Sequence, residues 1–265
     1  MHSDEPLATR PVQSGLDRTA FVRPIAHRGL HDAKAGLIEN TEPAFTAAIA
    51  RGYGIELDLR PAKDGTPFVF HDLELSRLID APGRIDEMAA KALSKLTYQS
   101  SKTGTRLMTF GEFLECVAGR VPILAEIKSE WGPPDAAFLS AIARLAKPYK
   151  GPLALMSFDP AMIAGIRPLA PKVPRGIVSG LYRGDGWWLD QLDPERAYRL
   201  SHLIESAPAA PDFFAYHVKD LPTPVTRFLR EGLRLPLFTW TVRTASDLET
   251  GHTFADAPIF EGLLP

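Results

Sequence analysis

Residues 54–60 read GIELDLR, and this stretch decides the fold. Ile55, Leu57 and Leu59 alternate with Glu56, Asp58 and Arg60, and a β-strand sends successive side chains to opposite faces. One face is apolar and the other acidic. On a strand of a (β/α)8 TIM barrel the apolar set meets the surrounding helices, and the acids then point inward near the C-terminal mouth, where barrel active sites are built. Seven more apolar runs alternate with longer stretches of helical spacing: FVRPIAH (21–27), PILAEIK (122–128), PLALMSF (152–158), RGIVSG (175–180), DFFAYH (212–217), LPLFTWTV (235–242) and APIFEG (257–262). Eight strand candidates separated in this way predict repeated βα units and a parallel sheet.

A ninth run, PFVFH (67–71), follows the second strand across KDGT. That turn is too short for a crossover helix and suits a hairpin. Centred between Asp64 and Gly65, the hairpin would set Leu59 opposite Phe70 and Asp58 opposite His71. The segment from about 73 to 108 has a turn and a helical stretch but no clear strand, and reads as an insertion over one barrel mouth. Residues 1–20 are polar, aperiodic and broken by Pro6, Pro11 and Gly15, so they read as an N-terminal arm to a barrel domain over 21–265.

A chain of 265 residues with 45% hydrophobic and 23% charged residues has the balance of a globular protein. Its net charge of -2 offers no global positive field for nucleic acid or an anionic membrane, so an anionic substrate must be captured by local charges. The single cysteine, Cys116, excludes an internal disulfide and a thiolate metal cluster. No stretch approaches the roughly 20 apolar residues of a membrane span, and a cytoplasmic protein is the simplest expectation. Oligomeric state is not legible.

The chemistry begins with the acids. Two inward carboxylates in one partly buried place repel unless a cation or proton intervenes. PILAEIK adds Glu126 and Lys128 on one face, so Glu56, Asp58 and Glu126 converge from two strands. An all-oxygen set selects a hard divalent cation, Mg2+ or Ca2+, over zinc. The bland alternative is a structural Glu126–Lys128 ion pair inside the barrel. His27 closes the first strand and is followed by Arg28, a guanidinium suited to bidentate phosphate binding. His71 closes another strand candidate. Two imidazoles beside a metal and an arginine fit phosphoryl transfer, one removing a proton and the other protonating the leaving oxygen. A carboxylate beside His71 would make it the acid and leave His27 as base.

The segments AHRG (26–29), ENT (39–41), ELD (56–58), KDGTPFVFHD (63–72), EIK (126–128), SF (157–158) and TWTV (239–242) stand in the order and spacing of one family. Together they resemble the glycerophosphodiester phosphodiesterases over nearly the whole chain from Phe21 onward. The resemblance implies a TIM barrel with an insertion after HD, cleaving glycerophosphodiesters to sn-glycerol 3-phosphate and an alcohol. By motif it implies Glu56, Asp58 and Glu126 as metal ligands, His27 and His71 as the catalytic pair, and Arg28 and Lys128 as phosphate binders. Trp240 becomes an aromatic wall against the glycerol, whose 2-hydroxyl is the nucleophile. Glu39 is implied to accept a hydrogen bond near the metal and histidines. Asn40 reads either as part of that surround or as the cap of the helix that follows.

Two departures stand out. Arg243 occupies a position where many relatives have Asn, and the chain ends PIFEGLLP, with Glu261 where an aspartate is usual. His31 reads as an ordinary loop residue. Rival readings are a phospholipase-D-like or lysophospholipid-cleaving barrel and a non-catalytic barrel that binds a phosphorylated ligand. A glycosidase using Glu56 and Asp58 is disfavoured, because residues two apart on one strand cannot readily flank a glycosidic bond.

Overall fold

The computed structural model describes residues 14–101, 104–184 and 186–265. Ten strands form one sheet: β1 (Ile25–Ala26), β2 (Gly54–Pro61), β3 (Pro67–Val69), β4 (Met108–Thr109), β5 (Ile123–Ile127), β6 (Leu153–Ser157), β7 (Arg175–Ser179), β8 (Phe213–His217), β9 (Leu237–Val242) and β10 (Ala257–Phe260). Eight of them, all but β3 and β4, pair in parallel. The ring closes because β1 pairs with both β2 and β10. The expected (β/α)8 barrel is present, and each of the eight quoted runs supplies one strand.

Alternation sorts the side chains as the sequence requires. Ile55, Leu57 and Leu59 join the apolar layer between barrel and helices, with Phe45 of the helix Glu42–Ala50 and Phe113 of the helix Phe110–Val117. Those two rings meet edge-on at 4.6 Å. A separate cluster fills the barrel interior: Leu124, Met156, Val178, Phe213, Phe238 and Ile259. Leu16 and Phe21 belong to it as well, so residues 14–20, expected as arm, begin the packing. Residues 1–13 of that arm lie outside the described residues. Helix starts follow local chemistry. Thr109 and Glu112 form a capping box, as do Thr244 and Asp247.

The hairpin exists, but its register differs from the expected one by a residue. Leu59 faces Val69, Arg60 faces Phe68, and the Phe70 amide donates to the Asp58 carbonyl at 3.0 Å. The cause is the turn. Its central residues number three, Lys63 to Gly65, with Gly65 at φ 78°, rather than two. His71 therefore falls one step beyond Asp58. Past it, the insertion packs its own small core: Leu75, Ile79, Ile85, Leu93 and Tyr98 against Phe68 and Phe70. It does hold a short strand, β4, paired antiparallel to β3.

Candidate active site

Glu56 and Asp58 project from β2 and Glu126 from β5, with Asp58 directly beside Glu126 in the strand register. Like charges so placed repel. All three are buried and their oxygens lie within 4.8 Å of one another. Lys128, just past β5, puts Nζ 2.7 Å from Glu126 Oε1 and 2.8 Å from Asp58 Oδ1. Arg28 puts Nε 3.2 Å from Asp58 Oδ2, and its backbone amide donates to Glu56 Oε2 at 3.0 Å.

Two cations thus face three acids, and the ionisation balance is uneven. Burial would raise the Asp58 carboxyl, but Lys128 and Arg28 outweigh it and hold Asp58 well below the usual range. Burial, reinforced by Asp58 and Glu126, pushes Glu56 well above it. Burial opposes the Lys128 charge, yet Asp58 and Glu126 keep that ammonium above its ordinary value. Three buried acids against two cations leave the trio one positive charge short. An oxygen-only donor set in that condition fits a hard divalent cation.

His27 follows β1, with its amide donating to the Phe260 carbonyl at 2.9 Å. Its Nδ1 meets Glu261 Oε2 at 2.5 Å, leaving Nε2 3.8 Å from Glu56 Oε2, on the side of the acidic trio. Burial lowers the His27 imidazole below its ordinary value, with Glu261 opposing. Arg243, whose side chain was open in the sequence, sets Nε 2.6 Å from Glu261 Oε1. His31 is less ordinary than its sequence reading, since its Nε2 lies 3.6 Å from Glu261 Oε2.

His71 takes Asp72 as its carboxylate, Nδ1 to Oδ1 at 2.7 Å, in place of the expected Asp58. The one-residue register difference is the reason. Arg60 of β2 donates to the His71 carbonyl at 2.7 Å and pairs with Glu130, which ties the strand end to the cavity rim. Glu39 pairs with Arg28 at 2.8 Å, and its two oxygens also receive Arg77 from the insertion, at 3.1 and 2.6 Å. Asn40 sits at φ 56° and its Nδ2 donates to Asp58 Oδ2 at 2.8 Å. It does not cap the helix. Thr41 holds that position, with Pro43 in the first turn.

These groups surround a cavity of about 380 Å3 at the C-terminal mouth. His27, Arg28, Glu56, His71, Glu126 and Lys128 line its charged side, with Asp58 behind them. Trp131, Met156, Phe158, Val178 and Trp240 line its apolar side. Trp240 is held by Nε1 donating to the Ser179 carbonyl at 3.2 Å and by an edge-on contact with Phe158 at 5.0 Å. Sequence reasoning did not find Asp72, Arg77 or Trp131 as contributors. The HD pair was the available signal for Asp72, whereas Arg77 and Trp131 stand in loops without periodicity.

The family model described as the glycerophosphoryl diester phosphodiesterase family matches residues 27–259. Glycerophosphodiester phosphodiesterase 1 of Rattus norvegicus is 29% identical over 180 residues, which is 64% of this chain and 53% of that protein. This chain thus spans about half the length of that relative. Among solved structures, an Oleispira antarctica phosphodiesterase in complex with the product sn-glycerol-3-phosphate superposes with TM-score 0.70 at 21% identity, covering 90% of this chain and 92% of that one. A glycerophosphodiester phosphodiesterase of Thermotoga maritima does so with TM-score 0.65 at 23% identity, covering 90% and 93%. Among the described residues no helix is long and apolar enough to cross a membrane.

Proposed function

Since the chain belongs to the glycerophosphoryl diester phosphodiesterase family, we propose that it hydrolyses glycerophosphodiesters to sn-glycerol 3-phosphate and an alcohol, with His27 and His71 as base and acid. One observation carries this reading: both imidazoles, Arg28, Lys128, Glu56 and Glu126 line a single cavity. Glu56, Asp58 and Glu126 would hold Mg2+ or Ca2+, which when bound supplies positive charge to the phosphoryl oxygens. Arg28 and Lys128 bind the same anion from the protein side. Trp240 gives the glycerol carbons an apolar wall.

His27 Nε2 takes the proton of the glycerol 2-hydroxyl as that oxygen bonds to phosphorus, and the bond to the leaving oxygen breaks as His71 protonates it. A cyclic phosphate remains. Water then adds at phosphorus with the roles exchanged: His71 takes the proton of water, His27 returns one to the 2-oxygen, and sn-glycerol 3-phosphate forms. A hydroxyl held on the same substrate attacks with high effective molarity. The lowered His27 imidazole supports the base assignment.

The apolar side of the cavity favours a second reading, lysophospholipids, whose acyl chain would need such a wall. A screen of glycerophosphocholine, glycerophosphoethanolamine, glycerophosphoinositol and lysophospholipids with Mg2+ or Ca2+, and product identification, separates the two. Release of sn-glycerol 3-phosphate from the water-soluble diesters is expected. Binding without turnover of any of them would leave the non-catalytic reading.

A further inference from the structure

The two imidazoles are held by the same kind of device. His27 Nδ1 meets Glu261 Oε2 at 2.5 Å, and the other oxygen of Glu261 meets Arg243 Nε at 2.6 Å. His71 Nδ1 meets Asp72 Oδ1 at 2.7 Å, and the other oxygen of Asp72 meets Arg77 Nε. In each case a carboxylate lies between an imidazole and a guanidinium, using one oxygen for each. A carboxylate on Nδ1 fixes the ring's orientation and places the neutral ring's proton on that nitrogen, so Nε2 is the atom left for the cavity. A carboxylate held at one oxygen can still rotate. The guanidinium removes that freedom.

We propose that Arg77 and Arg243 are positioning residues, acting through Asp72 and Glu261 to aim His71 and His27. The proposal rests on the reading of those histidines as acid and base. The two braces differ in reach. Arg243 follows β9, is largely exposed, and its guanidinium pairs with Glu261. Arg77 comes from the insertion, between the buried Leu75 and Ile79, and its remaining nitrogens grip Glu39, which in turn holds Arg28. The insertion thus delivers one guanidinium that serves both the acid and the phosphate-binding arginine. A lysine offers one nitrogen where Arg77 uses three, so it cannot replace that bridge.

The test uses Arg77→Gln, Arg243→Gln and their Lys counterparts, with circular dichroism to establish folding. kcat and KM are measured on glycerophosphocholine and on a glycerophosphodiester with a nitrophenol leaving group. R243Q should lose kcat roughly 10- to 100-fold on both esters, as expected of a misaimed base, with KM within about twofold. R77Q should show a similar kcat loss on the choline ester and little on the nitrophenyl ester, whose departure needs no acid, together with a raised KM through Glu39 and Arg28. R243K should recover most of the activity and R77K should not. Wild-type kcat on glycerophosphocholine in either Gln variant would overturn the proposal for that residue. Equal losses on both esters in R77Q would overturn it for Arg77. Tautomers are read independently of turnover from 15N spectra of histidine-labelled protein. Neutral His27 and His71 should carry the proton on Nδ1 in the wild type and a mixture in R243Q and R77Q respectively. An unchanged tautomer in both variants contradicts the braces even if the substrate assignment holds, and wild-type inactivity on every diester would refute the substrate assignment while leaving this measurement to stand.

Discussion

Replacing Lys128 with Met removes the ammonium that lies 2.7 Å from Glu126 and 2.8 Å from Asp58. At an effective dielectric constant of 20, each contact is worth roughly 6 kcal/mol before desolvation is subtracted. The net loss from breaking a buried pair by removing one partner is about 3 to 5 kcal/mol, because the acids are left uncompensated. The deficit should shrink when a divalent cation is added, since the ion then compensates the same oxygens that Lys128 pairs with. Urea denaturation of Lys128→Met should therefore show a large deficit after chelation and a smaller one in saturating Mg2+ or Ca2+. Catalysis should not recover in parallel. Loss of one charge-assisted contact to the phosphate weakens the transition state by roughly 1.5 to 3 kcal/mol, or about 10- to 160-fold in kcat/KM. A variant with wild-type kcat/KM would show the lysine to be only structural. One whose stability deficit is the same with and without the ion would refute a shared set of oxygens.

The acid role predicts that a nitrophenyl leaving group rescues His71→Ala substantially while His27→Ala stays slow, and equal rescue of both would contradict that division. A 2-deoxy substrate should resist cleavage, its normal hydrolysis pointing to direct attack by water. Burial acts to raise the Asp72 carboxyl, but hydrogen bonds from His71 and Arg77 outweigh it and bring it from 3.8 to about 2. Because the folded value is the lower one, this stability is present above about pH 4 and lost as pH falls toward 2. Urea midpoints of wild type and Asp72→Asn should converge over that window; a constant gap would refute the assignment. Phe238 fills the barrel interior edge-on to Phe213 at 5.4 Å, so Phe238→Ala should cost about 3 to 5 kcal/mol by calorimetry. A loss below about 1 kcal/mol would mean that this layer is not tightly packed.

The barrel was legible because its strands carry two different faces. Ile55, Leu57 and Leu59 went to the helices, and Glu56 and Asp58 went inward, as strict alternation demands. The acid trio was legible for the same reason. Hairpin register was not, because KDGT fits a two- or a three-residue turn, and one residue is enough to change which carboxylate meets His71. Arg77 was hidden more deeply. It stands in an aperiodic loop, and its position follows from the packing of Leu75 and Ile79, which no spacing rule encodes. Glu261 and Arg243 looked like two unrelated departures in the sequence. In the fold they form one ion pair, because neighbouring strands β9 and β10 end side by side.

We propose a cation-dependent hydrolysis at Glu56, Asp58 and Glu126. It is tested most directly by following glycerophosphocholine with phosphorus NMR, first with exhaustively chelated protein and then on titration with Mg2+ or Ca2+, alongside Glu126→Gln. Turnover should be absent after chelation, sn-glycerol 3-phosphate should appear as the ion is restored, and the variant should need a higher ion concentration. Full turnover by chelated protein, or an identical ion requirement in Glu126→Gln, would contradict it.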